Sequence, residues 1–409
     1  MITIGQPYIE KRGQEVYLLS LIQDEARERE LEVWYSVDEK YGEYLCSDYA
    51  DCFLLLVLQL AMITGQDIRV KSPVSSRLLF NLENTVQPLL VKTSPKFKHI
   101  RIEATPATQP HYHAMGVGCC CSLGIDSFAS FLKQMAEETP DSYHVTHLTL
   151  FNSGQLGYRD VKGTEMSFRE TVTNLQSFAE EVGLPIVAVN SNLNELYHDG
   201  GLTIVQSVVF RTISCAMALQ KLFGKYTFAS SYPVDKFVMC YEDCSHMESA
   251  FVPLLSTENT EVVLSQPTMT RVEKTAYVSR HPITYRYLDV CWAGQMTYGD
   301  ANFSKFYEEK KNTNCGRCDK CLRTILALDL LGELQKYEGQ FDLAFYRSHK
   351  DWYIAKVLVG RDSNIYYGEL AELLMQKGYV VSGHVKKIMM RMKHPWIDKI
   401  YCLIKHIKK

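Results

Sequence analysis

From residue 113 onward the chain alternates short apolar runs with helical segments, and this rhythm limits the fold more than any other feature. The runs are Ala114-Met115-Gly116-Val117-Gly118-Cys119-Cys120-Cys121, His147-Leu148-Thr149-Leu150-Phe151, Ile186-Val187-Ala188-Val189-Asn190 and Tyr226-Thr227-Phe228-Ala229. Between them, apolar residues at helical spacing predict helices up to Ala136, over 168–182 and over 205–222. Apolar strands separated by helices predict a parallel sheet covered on both faces. Such a sheet takes its ligand beyond the carboxyl ends of its strands.

The first 110 residues have a different texture. Residues 15–22 and 31–37 are rich in branched and aromatic side chains and read as strands, with a further short strand near 98–103. Residues 48–64 and 76–91 carry helical periodicity, with Asp48 and Ser76 as expected caps. A Pro- and Thr-rich stretch, 104–110, reads as a linker. The expected organisation is an N-terminal α+β domain (1–110) and an α/β nucleotide-binding domain (111–290). A cysteine segment (291–335) and a helical region with a basic tail (336–409) follow.

Composition narrows the class. With 409 residues and a formal net charge of -3, the molecule lacks the bulk positive charge of a general nucleic-acid binder. The longest apolar run, 53–64, falls short of the ~20 residues needed to cross a bilayer, so no transmembrane segment is expected. Met1-Ile2-Thr3-Ile4-Gly5 lacks a basic start and apolar run, so no secretory leader is expected. Thirteen cysteines without an export signal fit a reducing compartment, hence a cytoplasmic location.

Ser122-Leu123-Gly124-Ile125-Asp126-Ser127 lies between the first apolar run and a helix start. Unpaired N–H groups at a helix start stabilise an anion. Gly124 allows close backbone approach, Ser122 and Ser127 add hydroxyl donors, and Asp126 suits the loop or a magnesium ion. The loop is no Walker A motif, because no Gly-Lys-Ser/Thr ending follows. The bland reading is a serine-capped helix start with no ligand.

Cys315, Cys318 and Cys321 fall within seven residues, with Gly316 permitting a tight turn and Cys291 upstream as a fourth ligand. Four thiolates at that spacing suit a structural tetrahedral zinc ion, whose excess negative charge Arg317, Lys320 and Arg323 would offset. A ferredoxin-type cluster would continue with x3-Cys-Pro, and Leu322-Arg323-Thr324-Ile325 stands there instead.

The loop resembles the pyrophosphate loop of the PP-loop ATPases (N-type ATP pyrophosphatases), Ser-Gly-Gly-x-Asp-Ser. Ser122, Gly124, Asp126 and Ser127 match, and Leu123 replaces the first glycine. Together with the cysteine spacing, residues 115–331 resemble the 7-cyano-7-deazaguanine synthase branch of that superfamily. The resemblance implies a HUP-type sheet, ATP and Mg2+ at residues 122–127, and Zn2+ on the four cysteines. It implies an AMP-forming ligase or synthase that activates a small-molecule or peptide carboxylate, or an amide, for attack by ammonia or an amine. Asp126 and Ser127 would serve catalysis, with Arg271 and Lys274 set against the phosphates and His246 as the histidine to test as acid or base.

Two other readings stay open. An RNA-modifying enzyme of the same fold would transfer sulfur or nitrogen, using a thiol such as Cys240, Cys244 or one of Cys119 to Cys121. A non-catalytic binding protein with a degenerate loop rests on Leu123 alone. Residues 386–409 hold eight Lys or Arg against the single acid Asp398. That tail could meet a nucleic acid or an anionic membrane, but helices with a solvated basic face are the favoured reading. Oligomerisation is left open.

Overall fold

Among the described residues, thirteen strands form where branched, aromatic and small residues alternate or run together. They are β1 (Ile2–Ile4), β2 (Tyr8–Arg12), β3 (Glu15–Asp24), β4 (Arg29–Asp38), β5 (Ile68–Val70), β6 (Val74–Ser75), β7 (Ile102–Glu103) and β8 (Pro106–Ala107). After them come β9 (Gly116–Cys120), β10 (His147–Phe151), β11 (Ile186–Ser191), β12 (Phe223–Ala229) and β13 (Glu261–Ser265). The computed structural model describes residues 1–107, 112–154, 161–198, 201–291 and 314–394. The chain divides into two compact units: Met1–Ser122 with Asp126–Thr268, and Leu123–Ile125 with Met269–Lys409.

The first unit is built on one sheet in the order β13-β12-β9-β10-β11-β4-β3-β1-β5-β7, with β2 paired to β3. The five strands β9 to β13 pair with one another in parallel. Beyond β11 the sheet changes character. β4 joins antiparallel, with Asn190 opposite Ser36 and Ser191 opposite Tyr35, and β3 pairs antiparallel with β4 along its whole length. The sheet is therefore mixed, not wholly parallel, because the long β3–β4 hairpin docks on its edge. Residues on both sides of the expected 104–110 linker belong to this one unit, and 108–111 lie outside the described residues.

The helix Asp51–Thr64 is buried on nearly every side, as expected for an apolar helix inside a core. It packs on the helix Ile204–Met217, where Gln59 Nε2 donates to the Gln206 carbonyl at 3.0 Å. Asp51 opens the helix, and its carboxylate accepts the Ser75 N–H at 2.8 Å and Gln220 Nε2 at 2.9 Å. Burial pushes the Asp51 carboxyl up to about 6. Asp48, the expected cap, instead accepts the Tyr112 hydroxyl and pairs with Lys221 at 3.5 Å. Ser75, not Ser76, caps the next helix, accepting the Leu78 N–H at 3.0 Å. That helix is not continuous over 76–91: a wide turn, Leu82–Val86, precedes Pro88, whose missing N–H breaks the regular ladder.

The second unit is helical in its described part, with helices Arg271–Val278, Asp319–Leu331, Leu343–Gly360, Ile365–Gln376 and Gly383–Lys393. No helix among the described residues is long and apolar enough to cross a membrane. The basic tail from residue 395 onward lies outside the described residues.

Candidate functional site

Connections leave β9 in both directions. β10 and β11 lie to one side, β12 and β13 to the other. The carboxyl end of β9 is therefore the switch point of the parallel strands, where open sheets of this type take their ligands. The loop that leaves it is the one selected from sequence. Ser122 is exposed, and its hydroxyl lies 3.3 Å from that of the buried Ser127 at the helix start. The helix Ile125–Gln134 begins inside the loop, so the backbone N–H groups of Ile125, Asp126 and Ser127 belong to its first turn.

Leu123 stands where the resemblance expects glycine, and it keeps the backbone a glycine would adopt freely. Its φ is 57°, in the left-handed region, and its side chain is buried. A leucine in this region costs ~1–2 kcal/mol. Such strain persists only where surrounding structure holds it, and it concentrates at functional sites. The Leu123 carbonyl accepts the Asp289 N–H at 2.9 Å, which fixes the turn.

At the carboxyl end of β12, the buried Glu248 accepts the backbone N–H groups of Ser231 and Tyr232, the latter at 3.1 Å. The Tyr232 ring stacks on His246 at 4.5 Å, and its hydroxyl donates to Asp243 Oδ2 at 3.2 Å. His246 is thus placed beyond the strand end next to β9. The candidate thiols are less reactive than their number suggests. Burial pushes Cys119 and Cys244 up to about 12 and Cys120 up to about 11, so they stay protonated near neutrality.

Arg271 and Lys274 occur in the second unit, on the helix Arg271–Val278. There the Arg271 guanidinium lies 5.2 Å from the centre of the Tyr366 ring, and Arg323 lies over the same ring at 4.0 Å. Glu369 accepts the Val272 N–H at 3.2 Å, and burial raises its pKa above the ordinary value. Arg271, Arg323, Tyr366 and Glu369 line a small, shallow cleft. Lys274 is fully buried.

The four cysteines converge. The sulfurs of Cys291, Cys315, Cys318 and Cys321 all lie within 4.8 Å of one another, and could hold a metal ion such as zinc. Cys315 Sγ and Cys321 Sγ are 3.8 Å apart. That spacing matches the edge of a tetrahedron with sulfurs ~2.3 Å from a central zinc, roughly 3.8 Å. Backbone N–H groups of Arg317 and Cys318 point at Cys315 Sγ at 3.4 and 3.3 Å, and that of Cys315 at Cys291 Sγ at 3.4 Å. Such donors favour thiolates. The buried Asn314 braces the two halves, accepting the Val290 N–H and donating to the Leu288 carbonyl, both at 2.7 Å. Gly316 has φ 66°, and a Cβ there would collide with the Asp342 carbonyl.

One residue the sequence reading passed over is Arg211. It is the single charged residue between Gly200 and Lys221, in the middle of an apolar helix, and that isolation is the signal that could have found it. It is 2% exposed, and burial lowers its pKa below the ordinary guanidinium value.

Compared with protein-family models, with curated proteins and with solved structures, the chain gives no match.

Proposed function

We propose that this chain is an ATP-using enzyme that splits ATP to AMP and pyrophosphate in order to activate a substrate carboxylate or amide. The observation that carries the reading is Leu123: the loop at the switch point keeps a strained left-handed turn although its residue there is not glycine. Strained turns of this kind concentrate at functional sites, which supports a loop that still takes a ligand.

In this reading a substrate oxygen attacks the α-phosphorus, the bond from that phosphorus to the bridging oxygen breaks, and pyrophosphate leaves. The first-turn N–H groups and the hydroxyls of Ser122 and Ser127 stabilise charge on the departing group. Asp126 would hold the magnesium ion. Ammonia or an amine then attacks the activated carbon, AMP departs, and the nitrogen gives up a proton. The amine branch needs no sulfur-carrying thiol in the site. His246 is the candidate to accept that proton. Arg271 and Lys274 are assigned to the phosphates by resemblance alone, and a zinc ion on the four cysteines would be structural.

The test is a calorimetric titration with a non-hydrolysable ATP analogue and magnesium. Wild type should bind at micromolar concentration, and Asp126→Ala, confirmed as folded, should lose that binding. No binding by folded, zinc-loaded wild type would remove the adenylation reading.

A further inference from the structure

Arg211 is a buried cation with no buried anion beside it among the described residues. Its Nε donates to Ser207 Oγ at 2.8 Å and its Nη1 to Asn194 Oδ1 at 2.9 Å. The guanidinium lies 3.6 Å from the centre of the Tyr197 ring. All three neighbours are neutral, and no carboxylate lies within ion-pair distance of Arg211 among the described residues. Taking a guanidinium out of water carries a large desolvation cost, which hydroxyl and amide acceptors offset only in part. Other arginines of the first unit meet a carboxylate, as Arg69 meets Glu103 and Arg27 meets Asp24.

Its position is equally specific. Gly154 follows β10, and a Cβ there would come 2.7 Å from Arg211 Nη1 and closer still to Asn194 Oδ1. Asn194 follows β11. The guanidinium therefore lies against the segments that leave the carboxyl ends of two neighbouring parallel strands. Around it are further neutral hydrogen-bonding groups: Ser153 Oγ lies 3.5 Å from Thr212 Oγ1, and Asn152 Nδ2 donates to Asn190 Oδ1 at 2.7 Å. A glycine at 154 lets the backbone pass close to the guanidinium, where any side chain would collide.

We infer that Arg211 is the anchor of a second anion site, at the carboxyl ends of β10 and β11, that takes the carboxylate of a small-molecule substrate. A carboxylate presents two oxygens that match neighbouring N–H groups of a guanidinium. One positive charge in neutral surroundings fits a monoanion, and would leave a phosphate dianion uncompensated. This site is separate from the loop at β9 and stands without the nucleotide reading.

The test is thermal melting of the full-length, zinc-loaded protein without nucleotide, in sodium acetate against sodium chloride at equal ionic strength. Acetate should raise the wild-type melting temperature saturably, by roughly 5 °C. Arg211→Met, which keeps the length and removes the charge, should lose the acetate effect while melting no lower than wild type in chloride. An unchanged wild-type melting temperature in acetate overturns the proposal, as does an acetate effect that survives in Arg211→Met. Inorganic phosphate raising the melting temperature where acetate fails overturns the carboxylate assignment. Should Arg211→Met not fold, the Nε–H resonance of wild-type Arg211 decides: it must shift saturably with acetate, and its failure to move refutes the site. ATP binding measured in parallel keeps the two readings apart, since either can fail alone.

Discussion

The carbonyl of Leu123 accepts the backbone N–H of Asp289 at 2.9 Å, and this bond pins a leucine at a φ of 57°. Two substitutions separate the backbone from the side chain. Leu123→Ala keeps the strain and removes buried apolar surface, so it should cost about 3 kcal/mol. Leu123→Gly removes the same surface but relieves the strain, and should be more stable than the alanine variant by about 1 kcal/mol. Equilibrium unfolding of both variants checks the order. Alanine equal to or above glycine would mean that the turn is not left-handed, and the case for a preserved phosphate loop would weaken with it.

The cysteine cluster makes a compositional prediction. Purified protein should carry close to one zinc per chain by elemental analysis, and Cys315→Ser should lose most of it, since Cys315 Sγ accepts two backbone N–H groups and touches Cys321. Chelation should lower the melting temperature of wild type and leave that variant unaffected. Iron and sulfide with a broad visible absorption would identify a different centre on the same four sulfurs.

Gly316 tests whether that cluster depends on its turn. At φ 66°, with the Asp342 carbonyl in the space a side chain would need, Gly316→Ala is both strained and obstructed. The expected loss is at least about 2 kcal/mol, with weaker zinc retention under a competing chelator. A variant with wild-type zinc affinity would show that the turn relaxes without disturbing the sulfurs.

What the sequence disclosed follows the range of the forces involved. His147–Phe151 was legible end to end, because five apolar-rich residues between polar flanks specify a buried strand locally. The convergence of Cys315, Cys318 and Cys321 was equally local. The strand Glu261–Ser265 was missed, since Val262, Val263 and Leu264 make too short a run to stand out. The docking of β4 on β11 was out of reach: it joins residues 35 and 36 to 190 and 191, and nothing local marks either partner. Caps were misplaced for a related reason. Asp48 and Ser76 had the right chemistry, but tertiary partners took Asp48, and Ser75 does the capping. Arg211 is a lone charge in an apolar helix, and only the fold places it at the strand ends.

Asp51 gives a pH dependence with a definite sign. Its carboxyl is fully buried, and burial raises it from 3.8 to about 6. The folded state therefore holds the proton more tightly than the unfolded chain. The stability this group contributes is fully present below the unfolded value and is lost as pH rises through the folded one. Between pH 4 and 7 the loss should be about 2 kcal/mol. Asp51→Asn cannot titrate, so its stability relative to wild type should improve by that amount over the same interval. The comparison tolerates a constant cost from altered bonding to Ser75 and Gln220, because only the slope is read. The amide's new N–H group would face Gln220 Nε2, whose own orientation is fixed by the Thr257 hydroxyl donating to Gln220 Oε1 at 2.6 Å. A constant penalty is therefore expected at every pH. Parallel stability curves for the two proteins would place the Asp51 carboxyl at an ordinary value, and its ionised form would then be part of the core without strain.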